Sequence, residues 1–148
     1  MTKMMIINGP NLNMVGIREP EIYGTMSYQD MIAIVQKEAA KRGITAICRQ
    51  SNHEGDLVDW IQEAYFEKFD GIVINPGAYT HTSIALADAV KAIAPLPVVE
   101  VHISDINTRE KFRQVSYEAL YCLAQIKGEG VQGYVHAMDV IAFHLKKQ

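Results

Sequence analysis

Short apolar runs alternate along this chain with longer amphipathic stretches. KMMIIN (3–8), ITAICRQ (44–50), GIVIN (71–75), VVEVHI (98–103) and YCLAQI (121–126) have strand length, and the sequence predicts a strand at each. Between them apolar positions recur at helical spacing. Tyr28, Met31, Ile32, Val35 and Ala39 follow a variant capping box made by Ser27 and Asp30, and Gly43 ends the element. Leu57, Trp60, Ile61 and Ala64 share one face of a helix predicted over 55–67. Ile84, Ala87 and Val90 are the expected inward positions of a helix over 83–94, closed off by Pro95 and Pro97. A short polar helix is predicted near 107–113 and a last amphipathic helix over 131–147.

The strands read as continuous apolar runs, not as alternating ones, and helices separate them. That pattern argues for a parallel sheet covered on both faces. The expected fold class is α/β: a flavodoxin-like, doubly wound five-stranded parallel sheet, order 2-1-3-4-5, with helices on both faces. No linker, repeat or low-complexity segment interrupts the pattern, so a single domain over 1–148 is expected. In such sheets ligands bind outside the carboxyl ends of the strands, near the switch between strands one and three. The loop 9–26 after strand one is long for a compact domain, and long loops there are usually functional or disordered. Within it GIREPEIYG (16–24) places Arg18 and Tyr23 around Pro20, which disfavours helix.

Composition narrows the partners. The chain has 148 residues, 49% hydrophobic and 21% charged, ordinary globular usage that supports a core without disulfides or metals. Net charge is −3 with no basic block, so neither nucleic acid nor an anionic membrane surface is an expected partner. No apolar run approaches the roughly 18 residues a membrane span needs. MTKMMIING is too short and too soon interrupted for a signal peptide. Cys48 and Cys122 stand far apart in apolar runs and are expected as free thiols, which suits a reducing, cytoplasmic compartment. Dinucleotide and P-loop glycine patterns, a nucleophile elbow, and paired histidine or cysteine metal spacings are absent from the sequence. Acid/base chemistry on a small polar molecule, without metal or cofactor, is the remaining class.

The expected strand ends carry suitable groups. Asn8, Gly9, Pro10 and Asn11 follow strand one. Ser51, Asn52, His53 and Glu54 follow strand two, where His53 reads as helix-start chemistry. Asn75, Pro76 and Gly77 follow strand three, with Thr80, His81 and Thr82 behind. Glu100, His102 and Ser104 end strand four, followed by Arg109 and Arg113. Residues two apart on a strand face the same side, so Glu100 is placed to orient His102 as an acid/base group; a buried structural pair is the alternative. Asn75, a carboxamide ending an apolar strand, needs polar partners, and ligand hydroxyls are suitable. His81 and Arg113 have ordinary readings as a loop histidine and a surface charge. His136 and His144 fall on a solvated or interface face of the last helix.

NGPNLN, the R-E-P-x-x-Y-G loop, QSNHEGDLVDWI, INPGAYTHTS, EVHIS and REKFRQVSY resemble, in the same order, the type II 3-dehydroquinate dehydratases. The similarity runs from Met5 to about Tyr134. It implies a flavodoxin-like fold and a reversible anti elimination of water from 3-dehydroquinate, through an enolate, in the shikimate pathway or quinate catabolism. It implies Tyr23 as the base at carbon 2, with Arg18 beside it. It implies Asn11 as holder of an enolate-stabilising water, and His102, oriented by Glu100, as the acid at carbon 1. Asn75, His81, Ile103, Ser104 and Arg113 match substrate contacts, and Asp88 matches a residue reaching a neighbouring subunit's site. The family works without cofactor or metal, and its members typically assemble as dodecamers built from trimers. No imine is expected, because no lysine is expected at a strand's carboxyl end. The loop 16–25 would act as a lid hinged at Gly16 and Gly24.

Two features depart from the family pattern. Asp105 stands after EVHIS where many relatives have Asn, and a carboxylate there would repel an anionic substrate unless it points away or pairs with Arg109 or Arg113. The segment EALYCLAQIKGEG replaces a run of small residues. A non-catalytic or altered-specificity binding paralogue on the same scaffold is the competing reading. A flavodoxin-like electron carrier is disfavoured by the missing phosphate-binding loop.

Overall fold

The computed structural model describes residues 1–17, 21 and 25–148. Strands β1 (Thr2–Asn8), β2 (Ile44–Gln50), β3 (Gly71–Asn75), β4 (Val98–His102) and β5 (Ala124–Lys127) form an all-parallel sheet in the order β2-β1-β3-β4-β5. Helices α1 (Tyr28–Lys41), α2 (Glu54–Phe66), α3 (Ile84–Ala92) and α4 (Gln132–Lys146) make the crossovers and the C-terminal cover. The predicted fold class and strand order are those observed. Among the described residues no helix is long and apolar enough to cross a membrane.

The pleat of β1 explains the two-sided core. Met4 and Ile6 point to one face, against Met31, Val35 and Ala39 of α1 and Met138 and Ile141 of α4. Met5 and Ile7 point to the other, against Leu57 and Ile61 of α2 and Leu86 and Val90 of α3. Burying a side chain of this size contributes roughly 1.5–3 kcal/mol, so the central strand is anchored from both sides. Cys48 packs with the first cluster and Cys122 with the second, which puts the free thiols on opposite faces of the sheet. Burial pushes the Cys48 thiol up to about 12.

Helix starts follow the sequence. Ser27 Oγ accepts from the Asp30 amide at 3.1 Å and Asp30 reciprocates to the Ser27 amide, completing the box. Ser83 caps α3 through the Leu86 amide. One inward expectation fails there: Ile84 is 62% exposed, because the buried stripe of α3 runs through Leu86, Ala89 and Val90.

The C-terminal third departs most from the pattern reading. β5 begins at Ala124, not 121, and Glu118–Tyr121 form a 3-10 turn. The partner strand explains it. Leu123 already bonds to the carbonyl of Val98, the first residue of β4, so residues further upstream have no strand to pair with. The polar helix expected near 107–113 is two short 3-10 turns, Ile106–Thr108 and Lys111–Arg113, separated by an extended Arg109.

Candidate active site

At the switch in strand order, Asn8 pairs in register with Asn75 at the carboxyl ends of β1 and β3. The two loops leaving these strands pack backbone to backbone. The Gly9 amide donates to the Asn75 carbonyl at 2.8 Å, and a Cβ on Gly9 would sit 2.4 Å from the Pro76 oxygen. Glycine is therefore required there by close approach. Asn11 adopts a left-handed conformation, φ 68°, which asparagine tolerates. Its amide donates to Asn52 Oδ1 at 3.0 Å, and Gln50 Nε2 donates to the same oxygen. The strand-two loop thus fixes Asn11 at the cavity mouth.

Asn75 is held by a buried group that sequence reasoning did not single out. Tyr134 of α4 is fully buried; its hydroxyl donates to Asn8 Oδ1 at 2.6 Å and accepts from Asn75 Nδ2 at 3.0 Å. Asn75 Oδ1 accepts from the Gly77 amide. The carboxamide retains capacity for one more donated bond. Tyr134→Phe strands polar atoms of both asparagines in the core. The expected loss is about 1–3 kcal/mol of stability, visible as a lower Tm in thermal denaturation, with weakened ligand binding through a misplaced Asn75. An unchanged Tm would show that the bridge contributes nothing.

His102 ends β4, 5% exposed, with its Nε2 2.5 Å from Glu100 Oε2. A carboxylate accepts, so Nε2 carries the hydrogen and Nδ1 is left for chemistry. Glu100 is fully buried, yet Gln125 Nε2 donates to it at 2.7 Å and Ser116 Oγ at 2.6 Å. Burial alone would raise its pKa; the hydrogen bonds and charge of His102, with Ser116 and Gln125, outweigh burial and hold Glu100 below the usual carboxylate value. The pair is therefore a carboxylate-oriented histidine, able to give or take a proton at Nδ1. His81 Nδ1 donates to the Val115 carbonyl at 2.7 Å, which leaves Nε2 as an acceptor on the neutral ring. Burial lowers the pKa of His81 and favours that neutral form.

These elements enclose a cavity of about 470 Å³ at the carboxyl edge of the sheet. Of the expected site residues, Asn11, Asn75, His81, His102, Ile103, Ser104 and Arg113 line it, and Glu100 stands directly behind His102. Arg18 and Tyr23, within the expected lid, lie outside the described residues. Asp88 is exposed on α3 and does not line this cavity. Arg109 does line it, a role the sequence reading left unassigned although it noted the residue after strand four. Arg113 Nε donates to Glu110 at 2.5 Å. Asp105 turns away: its Oδ1 accepts from the Asn107 amide at 2.9 Å and caps the 106–108 turn, so it does not face the cavity with its charge. The expectation that no lysine ends a strand is wrong for Lys127, which closes β5 in register with His102, but Lys127 does not line the cavity. Among the described residues no group of three or more histidine, cysteine or acidic side chains could hold a metal.

Among the described residues two arginines, two histidines and no acidic side chain line this cavity, in a chain whose net charge is −3. Local charge and not the overall field would draw in an anion. A buried carboxylate–histidine pair opening on such a wall defines an acid/base enzyme for a small anionic, hydroxyl-bearing molecule.

Residues 2–142 match the model of the family described as dehydroquinase class II. The chain is 50% identical over 146 residues to a 3-dehydroquinate dehydratase of Clostridium perfringens, covering 99% of each. It is 55% identical over 139 residues to one from Streptomyces avermitilis, covering 94% of this chain and 87% of the relative. The crystal structure of a type II dehydroquinase from Butyrivibrio crossotus superposes with a TM-score of 0.94 at 48% identity, covering 95% of this chain and 97% of the other. The chain belongs to the class II dehydroquinase family.

Proposed function

We propose that the protein is a 3-dehydroquinate dehydratase, a hydro-lyase of the shikimate pathway that removes water from 3-dehydroquinate in two proton-transfer steps. The observation that carries this reading is the Glu100–His102 pair opening on a cavity that, among the described residues, has two arginines and no acid. In the first step Tyr23, as phenolate, takes a proton from carbon 2 and leaves an enolate on the carbon 3 oxygen. A free tyrosine has a pKa of about 10; Arg18 beside it favours the phenolate and cannot surrender its own proton. Asn11 holds the water that stabilises the enolate oxygen. In the second step the enolate collapses, the carbon 1 hydroxyl departs, and His102 Nδ1 protonates it to water. Tyr23 then returns its proton through solvent to His102, restoring both groups. Ile103 and Ser104 bind the substrate carboxylate, and Asn75, His81 and Arg113 bind the ring hydroxyls. No imine forms in this mechanism; among the described residues no lysine lines the cavity.

The chain acts as one cytoplasmic catalytic domain and assembles into dodecamers built from trimers, with Asp88 reaching a neighbouring subunit's site. Support comes from exposed apolar side chains around α3 and the segment packed on it: Ile84, one turn before Asp88, with Leu120, Tyr121 and Leu123. Sedimentation at the monomer mass would contradict the assembly. The catalytic claim is tested by adding 3-dehydroquinate to micromolar enzyme in the presence of a chelator. Absorbance of the conjugated enone of 3-dehydroshikimate is expected to rise; a flat trace would leave the binding-paralogue reading.

A further inference from the structure

Behind the Glu100–His102 pair lies a second buried carboxyl group that the mechanism does not use. Glu118, in the turn before β5, is fully buried. Three short contacts join it to the pair: Glu118 Oε2 to Thr80 Oγ1 at 2.9 Å, Thr80 Oγ1 to Ser116 Oγ at 3.0 Å, and Ser116 Oγ to Glu100 Oε1 at 2.6 Å. Each contact needs one hydrogen, and the two hydroxyls supply one each. Ser116 must spend its hydrogen on Glu100, because the carboxylate can only accept. If Thr80 donates to Ser116, the remaining contact has a hydrogen only when Glu118 is a neutral acid. With Glu118 ionised, one contact faces lone pair to lone pair. The rest of Ser116 fits this direction, since its Oγ also accepts from the Ala119 amide. Glu118 Oε1 is buried with no partner among the described residues. An unpaired oxygen is far cheaper on a neutral acid than on an anion.

We propose that Glu118 is a positioning residue for the acid/base pair: as a neutral acid it donates into a hydroxyl chain, Thr80 to Ser116 to Glu100, which fixes Glu100 as the acceptor for His102. The chain also ties the three segments that build this wall, since Thr80 precedes His81 and its carbonyl accepts from the Tyr117 amide. This role rests on the reading of Glu100–His102 as the acid/base pair. The charged and titratable neighbours are Glu100 and His102 on β4, His81 in the 77–81 turn, Arg113 and Cys122 along the connecting segment, and the exposed Asp88 and Lys91 on α3. Burial, with the charge of Glu100 adding to it, pushes Glu118 up to about 7. The folded value lies above the ordinary carboxyl value of 4.5, so this group's contribution to stability is full below about 4.5 and is lost as pH rises to about 7.

The test combines infrared spectroscopy with kinetics. Wild type at pH 6 should show a protonated-carboxyl band that is absent from Glu118→Gln and fades above pH 7. The gap in Tm between Glu118→Gln and wild type should widen from pH 5 to 7. Glu118→Leu should lower kcat roughly tenfold at unchanged KM, the effect of one lost hydrogen bond, and Glu118→Gln, whose amide still donates, should recover most of it. If Glu118→Leu does not fold, Thr80→Val takes its place with the same expected loss. No Glu118-dependent acid band at pH 6, wild-type kcat in Glu118→Leu, or equal losses in the Leu and Gln variants would each overturn the proposal. Should the dehydratase reading itself fail, no form of the protein would turn over, and the infrared band and the Tm gap would still decide the state of Glu118.

Discussion

Tyr23→Phe is expected to lower kcat by at least the 10²–10⁴ range that a positioned proton-transfer group contributes, while the affinity for 3-dehydroshikimate changes little. Phenylalanine keeps the ring and removes only the oxygen proposed to take the carbon 2 proton. The cavity wall that supplies most binding contacts, from Asn75 round to Arg113, is built from other segments and stays intact. Steady-state kinetics and calorimetric titration of the product separate the two quantities. A variant that keeps near-normal kcat would mean that the base is another group.

His102→Ala is the second large effect, again about 10²–10⁴ in kcat. The side chain removed is the one whose Nδ1 is proposed to protonate the departing hydroxyl, and His81 is not placed to substitute for it. His81 has committed Nδ1 to the Val115 carbonyl, and burial disfavours its charged form. The fold should survive, because Glu100 keeps its bonds from Ser116 and Gln125 when His102 is gone. Truncating one partner of a buried pair is damaging mainly when the other is left with nothing. A Tm near that of wild type with kcat lost is the expected combination. Restored turnover on adding imidazole would strengthen the assignment.

The strands were legible because parallel, doubly covered strands have a strong apolar signature, which β1 and β3 carry most clearly, and the order followed from the fold class that the strand–helix alternation implies. β5 was misplaced by three residues because the apolar run YCLA continues into the strand without a break, while its start is set by where β4 begins, a non-local fact. Ile84 failed for a related reason: in a short helix rich in alanine the apolar stripe can be drawn in two phases, and packing on α2 chooses between them. The Glu100–His102 pair was legible from strand periodicity alone. The supports of the site were not. Tyr134 falls inside the predicted last helix and Glu118 in the segment before the last predicted strand, and neither carries a local signal of a role at the site. Each reaches the site only through three-dimensional contacts with residues 59 and 38 positions away. Asp105 shows the opposite case, a residue that looked disruptive in sequence and is neutralised by capping its own turn.

The central claim is that proton removal at carbon 2 and proton delivery at carbon 1 belong to different side chains in successive steps. Hydrogen exchange at carbon 2, followed by nuclear magnetic resonance of 3-dehydroquinate in deuterated water with His102→Ala, tests it most directly. The account predicts that deuterium enters carbon 2 at a rate well above the variant's dehydration rate, because Tyr23 still forms the enolate while the hydroxyl cannot leave. Exchange and dehydration lost to the same extent would contradict it.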